Sequence, residues 1–160
     1  MGNKAILMSI QPQWVAKILN GEKTIEVRKK FPKDYVGWVY ICCTKGKRKR
    51  KGAAEWYALG KVVARFWCDK VEEIMLAKLD NGVGYDYIYD TDTLLAQYFY
   101  KKSCLENWDL LNYFGHKYKN GEVVGCAIHI SKVEVFDKPK ELKEFGITKA
   151  PQSYMFVEGE

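Results

Sequence analysis

The sequence predicts an α+β domain built on a small β-barrel of five or six strands, with three or four short helices on its rim. Three observations lead there. Strand-like segments outnumber helical ones and do not alternate with long helices, as a doubly wound parallel sheet would require. No apolar run approaches the roughly 20 residues that span a bilayer. The 160 residues, 48% hydrophobic and 29% charged, suit one globular domain over 1–160, with no internal repeat and no low-complexity linker.

The elements follow from local pattern. Ala5 to Ile10 is a short apolar run with strand character, and no small-residue cleavage site follows it, so it reads as a first strand and not a signal peptide. Pro12 suits a first helical turn. Trp14, Val15, Ile18 and Leu19 then form one apolar stripe, which places Trp14 in the core, and Asn20-Gly21 stops the helix. Thr24 to Arg28 alternates: Ile25 and Val27 face one side, Thr24, Glu26 and Arg28 the other. Val36 to Thr44 and Leu59 to Glu73 read as strands. Asp80 to Asp92, rich in glycine, aspartate and tyrosine, reads as a loop. Helices are predicted over Thr93 to Tyr100 and from Ser103, where Ser103 and Glu106 have capping-box spacing, to Gly115, with Leu105, Trp108, Leu111 and Tyr113 buried. Val123 to Phe136 is a long strand, Pro139 to Phe145 a short helix, and Ser153 to Val157 a last strand.

Charge and thiols narrow the chemistry. The formal charge is +6, and the cations Lys45, Lys47, Arg48, Lys49, Arg50 and Lys51 equal that whole excess. Six like charges form a loop and do not pack together. Such a loop tracks a phosphate backbone, RNA or DNA alike, with Trp38, Tyr40, Trp56 and Tyr57 near it in sequence for base stacking; it also serves as a solvated, solubilising loop. Five cysteines, an odd number without a CxxC pair, indicate reduced thiols and a cytoplasmic protein. With only two histidines and Cys42 and Cys43 on opposite strand faces, no metal site and no cofactor are expected.

The most informative stretch is Gly21-Glu22-Lys23-Thr24-Ile25-Glu26-Val27-Arg28-Lys29. Arg28 offers a planar fork for phosphate or a carbonyl edge. Lys23, at the turn, offers a point charge or, if desolvated, a base or nucleophile. Glu26 accepts from base-edge donors or moves a proton. The same residues also make a solvated strand face with a Glu26–Arg28 pair and nothing bound. His129 shares a strand face with Ala127 and Ser131; it serves either as a donor at a cleft mouth or as a half-buried strand histidine bonded to backbone. Ser9 sits at the end of the first strand, facing a cleft or capping the helix.

Leu7-Met8-Ser9-Ile10-Gln11-Pro12, a helix, and then Gly21-x-Lys23-x-x-Glu26-x-Arg28 resemble the opening of the ASCH family, a PUA-like family marked by a GxKxxExR motif. Gly125 to Ser131, Asp137 to Leu142 and Ala150 to Met155 are similar to a subgroup common in phage and prophage genomes. The likeness touches most of the chain and is weakest over Lys45 to Lys102. It implies a β-barrel whose cleft, lined by the motif, binds RNA or a nucleotide. On that basis the expected binding residues are Ser9, Lys23, Glu26, Arg28, Lys29, Lys47, Arg48, Lys49, Arg50 and His129. The alternative is a hydrolase acting on a modified nucleoside or on RNA through Lys23 and Glu26. One branch resembles amidohydrolases of a modified cytidine nucleoside that use the motif lysine with a threonine two strand positions before the arginine. Lys23 carries over, but Glu26 stands where that threonine would be. Another relative type is described as a ribonuclease.

Overall fold

The apolar run of β1 (Lys4–Ile10) is buried on both faces over its last six residues, as expected of a strand flanked by neighbours on a covered sheet. In the computed structural model, which describes residues 2–45, 59–78, 85–87, 93–114 and 122–159, β1 pairs in parallel with β3 (Gly37–Cys43) and antiparallel with β7 (Tyr154–Glu158). Between β1 and β3 come α1 (Pro12–Leu19) and β2 (Ile25–Arg28). After β3 follow β4 (Val62–Lys78), β5 (Tyr85–Tyr87), α2 (Thr93–Ser103), α3 (Asn107–Phe114) and β6 (Glu122–Lys140). A single 3-10 turn, Leu142–Phe145, precedes β7.

The result is an α+β mixed sheet with hydrogen-bonded order β2-β6-β4-β3-β1-β7 and β5 added to β4. β2 and β7 are the ends of this path, and among the described residues no pairing closes it into the predicted barrel. β4 and β6 are 17 and 19 residues long. β4 changes partner along its course: it meets β3 from Val62 to Cys68 and β5 from Leu76 to Lys78.

The chain divides into two compact units. One comprises residues 1–21, 36–69 and 130–160, the other 22–35 and 70–129. The first has a core of Ala5, Leu7, Tyr40, Cys42, Val62 and Val157, with Phe136, Leu142 and Phe145 packed on it. α1 buries Val15 and Ile18, and Gly21 ends it with φ +84°, a conformation that favours glycine. Trp14 is not in the core as predicted; it is half-buried, with the Lys17 ammonium 5.7 Å from its ring centroid. A stripe of Val15 and Ile18 three residues apart is narrow enough to leave its neighbour at the rim.

The second unit packs Ile25, Val27, Ile74, Phe99, Leu110, Phe114 and Ala127 together. Its helices depart from expectation. α2 continues to Ser103, whose hydroxyl accepts from the Leu105 amide at 3.3 Å, and Cys104 turns the chain with φ +56°. α3 therefore begins at Asn107, not Ser103, and its entry is held by the Asp109 carboxylate, which accepts from the Glu106 amide at 2.9 Å. That start sets the helix to bury Leu110 and Phe114, one helical turn apart, and leaves Trp108 66% exposed. In the segment predicted as a loop, Tyr85–Tyr87 forms β5 and the flanking residues lie outside those described. The short helix predicted over Pro139 to Phe145 is cut back to the 3-10 turn Leu142–Phe145, because β6 runs through to Lys140 and takes the proline into the end of the strand.

No helix among the described residues is long and apolar enough to cross a membrane. None of the five cysteines is in a disulfide. Burial pushes up the thiols of Cys42 and Cys126, and that of Cys43 up to about 11, so these three are held as thiols at neutral pH.

One close approach governs the second unit. A Cβ on Gly125 would lie 2.7 Å from the Phe114 ring and 3.1 Å from the Arg28 carbonyl. Gly125→Ala is expected to expel Phe114 from its seat and to lower the urea midpoint by the equivalent of about 1–3 kcal/mol. An unchanged midpoint would show that the ring relocates freely.

Candidate functional site

Everything at the motif follows from how β2 pairs with β6. The register is Ile25 with His129, Glu26 with Ile128, Val27 with Ala127 and Arg28 with Cys126. Residues directly opposite in an antiparallel pair share a face. Ile25, Val27 and Ala127 enter the core of the second unit, so Glu26 and Arg28 occupy the other face with Ile128 and Cys126.

That face is not solvated. Glu26 is 6% exposed, and the Arg28 side chain is 11% exposed. The Arg28 Nε lies 3.8 Å from Glu26 Oε1, an ion pair too long to be a hydrogen bond. Glu26 Oε1 also accepts from the Val27 amide at 3.0 Å. Its second oxygen, Oε2, is buried with no hydrogen-bond partner. An acceptor left in that state costs about 1–3 kcal/mol, more for a charged group.

Lys23 is 1% exposed, and its Nζ donates to the Ser103 carbonyl, the last of α2, at 2.5 Å. The next residue repeats the attachment, the Thr24 amide donating to the Lys102 carbonyl at 2.8 Å. The motif lysine thus satisfies an otherwise orphaned carbonyl at a helix C-terminus, where a cation also meets the negative end of the helix dipole.

Lys29 is exposed and reaches Tyr113 on α3 in two ways. Its amide donates to the Tyr113 hydroxyl at 3.3 Å, and its ammonium lies 5.2 Å from the ring centroid. Burial pushes the Tyr113 phenol up, against the pull of the Arg28 guanidinium and the Lys29 amide, while the Glu26 carboxylate adds to the rise. The phenol oxygen is therefore within electrostatic reach of both motif charges and stays protonated at neutral pH.

His129 belongs to the opposite face by the register above. It is half-buried, its Nε2 3.5 Å from Glu72 Oε2. Burial pushes the Glu72 carboxyl up, but the Lys70 bond and the His129 imidazole outweigh it and hold the carboxyl below the ordinary range. The histidine is thus placed by Ile25 and Glu72, away from the Glu26 face. Ser9 lies in the first unit, where its hydroxyl donates to the Pro151 carbonyl at 2.6 Å. Lys47, Arg48, Lys49 and Arg50 lie outside the described residues, as do Trp56 and Tyr57. Of the aromatics proposed for stacking, Tyr40 is buried in the first unit's core, and Trp38 carries the Arg65 guanidinium 4.1 Å from its ring. Among the described residues no group of three His, Cys, Asp or Glu is gathered as a metal ion would need.

This geometry joins a fold seen elsewhere. The chain is ASCH-like in fold. It superposes on the ASCH protein of Zymomonas mobilis with a TM-score of 0.62 at 16% identity, over 96% of this chain and 87% of that one. Two single-substitution variants of the same protein match at TM-scores of 0.63 and 0.62, also at 16% identity, over 98% and 96% of this chain and 91% and 88% of theirs. No protein-family model matches the chain, and no curated protein does. At that identity the likeness concerns the fold.

Sequence reasoning missed Tyr113 and Ser103 as neighbours of the motif. Tyr113 read as one more apolar position of a helix, and a main-chain carbonyl leaves no trace in residue type. The attachment of Lys23 has a measurable consequence. Lys23→Met keeps the aliphatic volume but strands the Ser103 carbonyl, and it is expected to cost about 1–3 kcal/mol in urea unfolding. Full stability together with lost ligand binding would make the lysine a purely functional group.

Proposed function

We propose that this chain is an ASCH-family domain, single over 1–160, that binds RNA or a nucleotide through the face bearing Glu26 and Arg28. The observation that carries the reading is the buried Glu26 carboxylate with one oxygen unpaired beside a mostly buried guanidinium. A base edge supplies N–H donors for such an oxygen, and a phosphate or carbonyl edge suits the arginine fork. The resemblance of Gly21-x-Lys23-x-x-Glu26-x-Arg28 to the ASCH motif and the ASCH-like fold support it. The C-terminal segments from Gly125 to Met155 favour the phage-type subgroup. Lys47, Arg48, Lys49 and Arg50 add sequence-independent attraction to the backbone of RNA, and of DNA as well. Five cysteines outside disulfides suit a reducing cytoplasm.

The test is a titration of short single-stranded RNA at two salt concentrations. Arg28→Ala is expected to weaken binding by roughly 10- to 150-fold at fixed salt, the worth of a charge-assisted hydrogen bond. Removing the charges from Lys47 to Lys51 is expected to flatten the salt dependence instead. Equal affinity of Arg28→Ala and wild type would remove the motif from the binding site.

A second reading has its own observation: a lysine and a carboxylate three residues apart are both more than nine-tenths buried. Desolvated groups of that kind serve acid–base chemistry, and the corresponding activity is hydrolysis of a modified nucleoside or of RNA. Incubation with an N-acylated cytidine and with single-stranded RNA should then yield deacylated nucleoside or shortened RNA, and Glu26→Gln should abolish the product. No turnover of either substrate by the wild type leaves the binding role alone.

A further inference from the structure

We propose that the Tyr113 ring is the stacking surface for the base engaged by Glu26 and Arg28. The inference rests on the RNA-binding reading above and adds to it a residue outside the motif, on a different element.

Tyr113 is 40% exposed, yet its polar end is fixed. The hydroxyl accepts from the Lys29 amide at 3.3 Å, one residue beyond Arg28. On α3 the following residue, Phe114, meets the ring edge-on with centroids 5.0 Å apart and planes at 79°. Phe114 is itself buried, lodged against Gly125 of β6 opposite the Arg28 carbonyl. The ring is thus held by α3, by its hydroxyl and by a buried neighbour, and it is partly open. A surface set in place before binding loses little conformational freedom when a base settles on it, which is the reason tyrosine is favoured at recognition sites.

Lys29 completes the arrangement. Its ammonium lies over the ring at 5.2 Å and the residue is exposed, so it is free to move. A base that takes the ring face displaces the ammonium toward the phosphate of the same nucleotide, exchanging a cation–π contact for an ion pair. Stacking on an aromatic ring is indifferent to base identity. In this arrangement Tyr113 supplies hold, and Glu26 with Arg28 supplies discrimination. Tyr98 provides an internal comparison. It is exposed and also has a lysine ammonium, that of Lys102, 5.2 Å from its ring, but it stands on α2 and its hydroxyl is not the one bonded to the motif strand.

The experiment titrates single-stranded RNA of about ten nucleotides, and an abasic oligonucleotide of equal length, against wild type, Tyr113→Leu, Tyr113→Phe, Tyr98→Leu and Arg28→Ala. Tyr113→Leu is expected to weaken the RNA by roughly 5- to 150-fold, with Tyr113→Phe close to wild type and the abasic strand bound equally by both. If Arg28→Ala weakens binding while Tyr113→Leu matches wild type, the stacking role is overturned and the motif reading survives. If Arg28→Ala is also without effect, both fall. Equal losses in Tyr98→Leu and Tyr113→Leu would mean diffuse attraction by exposed rings, which also overturns the proposal. Should Tyr113→Leu fail to fold, the wild-type ring resonances of Tyr113 decide. An upfield shift on adding RNA, absent with the abasic strand, supports stacking, and unmoved resonances refute it.

Discussion

The pairing of β2 with β6 is the constraint on which the rest of the second unit depends. β2 is only four residues long, so its register admits no averaging. A slip by one residue would exchange every side chain between faces. It would carry Glu26 and Arg28 into the apolar cluster of Ile74, Phe99 and Leu110, and bring Ile25 and Val27 out of it. Burial of a charged pair without partners costs far more than a short ladder returns. The same preference that hides Ile25 and Val27 therefore presents Glu26 and Arg28 on the other side. Core formation and site formation are one event here.

Two further attachments steady that strand. Lys23 and Thr24 bind consecutive carbonyls at the end of α2, and Lys29 binds Tyr113 on α3. The motif is therefore anchored before and after Glu26 and Arg28, by side chain and amide at one end and by amide and ring at the other. Between these anchors Glu26 Oε2 is a buried carboxylate oxygen with no hydrogen-bond partner.

Much of this was legible in the sequence. Alternation over Thr24 to Arg28 correctly separated Ile25 and Val27 from Glu26 and Arg28, because period 2 is a property of the strand itself. The placement of α1, β1, β3 and β7 followed from apolar runs and from Pro12 and Gly21. What escaped notice was long-range. That His129 falls opposite Ile25 is a matter of register, and register is set by the whole sheet. That Trp108 points outward depends on where α3 begins, and α3 was displaced by α2 running on to Ser103 through a cysteine in a left-handed conformation, a position where glycine would have marked the stop. The burial of Glu26 was undecided in the sequence, since a strand face of Thr, Glu and Arg reads equally as a solvated face or as a cleft lining until its partner strand contributes Ile128.

The division of the chain bears on the order in which the protein is made. The second unit is inserted within the first: its segments, 22–35 and 70–129, are complete once residue 129 has been synthesised, while the first unit still awaits 130–160. On the ribosome, β1 has β3 beside it early, but its other edge stays bare until β7 emerges. An apolar strand with an unpaired edge is a site for wrong association. The face that carries the motif can thus mature first, and until β7 pairs with β1 the bare edge of that strand is where the nascent protein most needs protection from its neighbours.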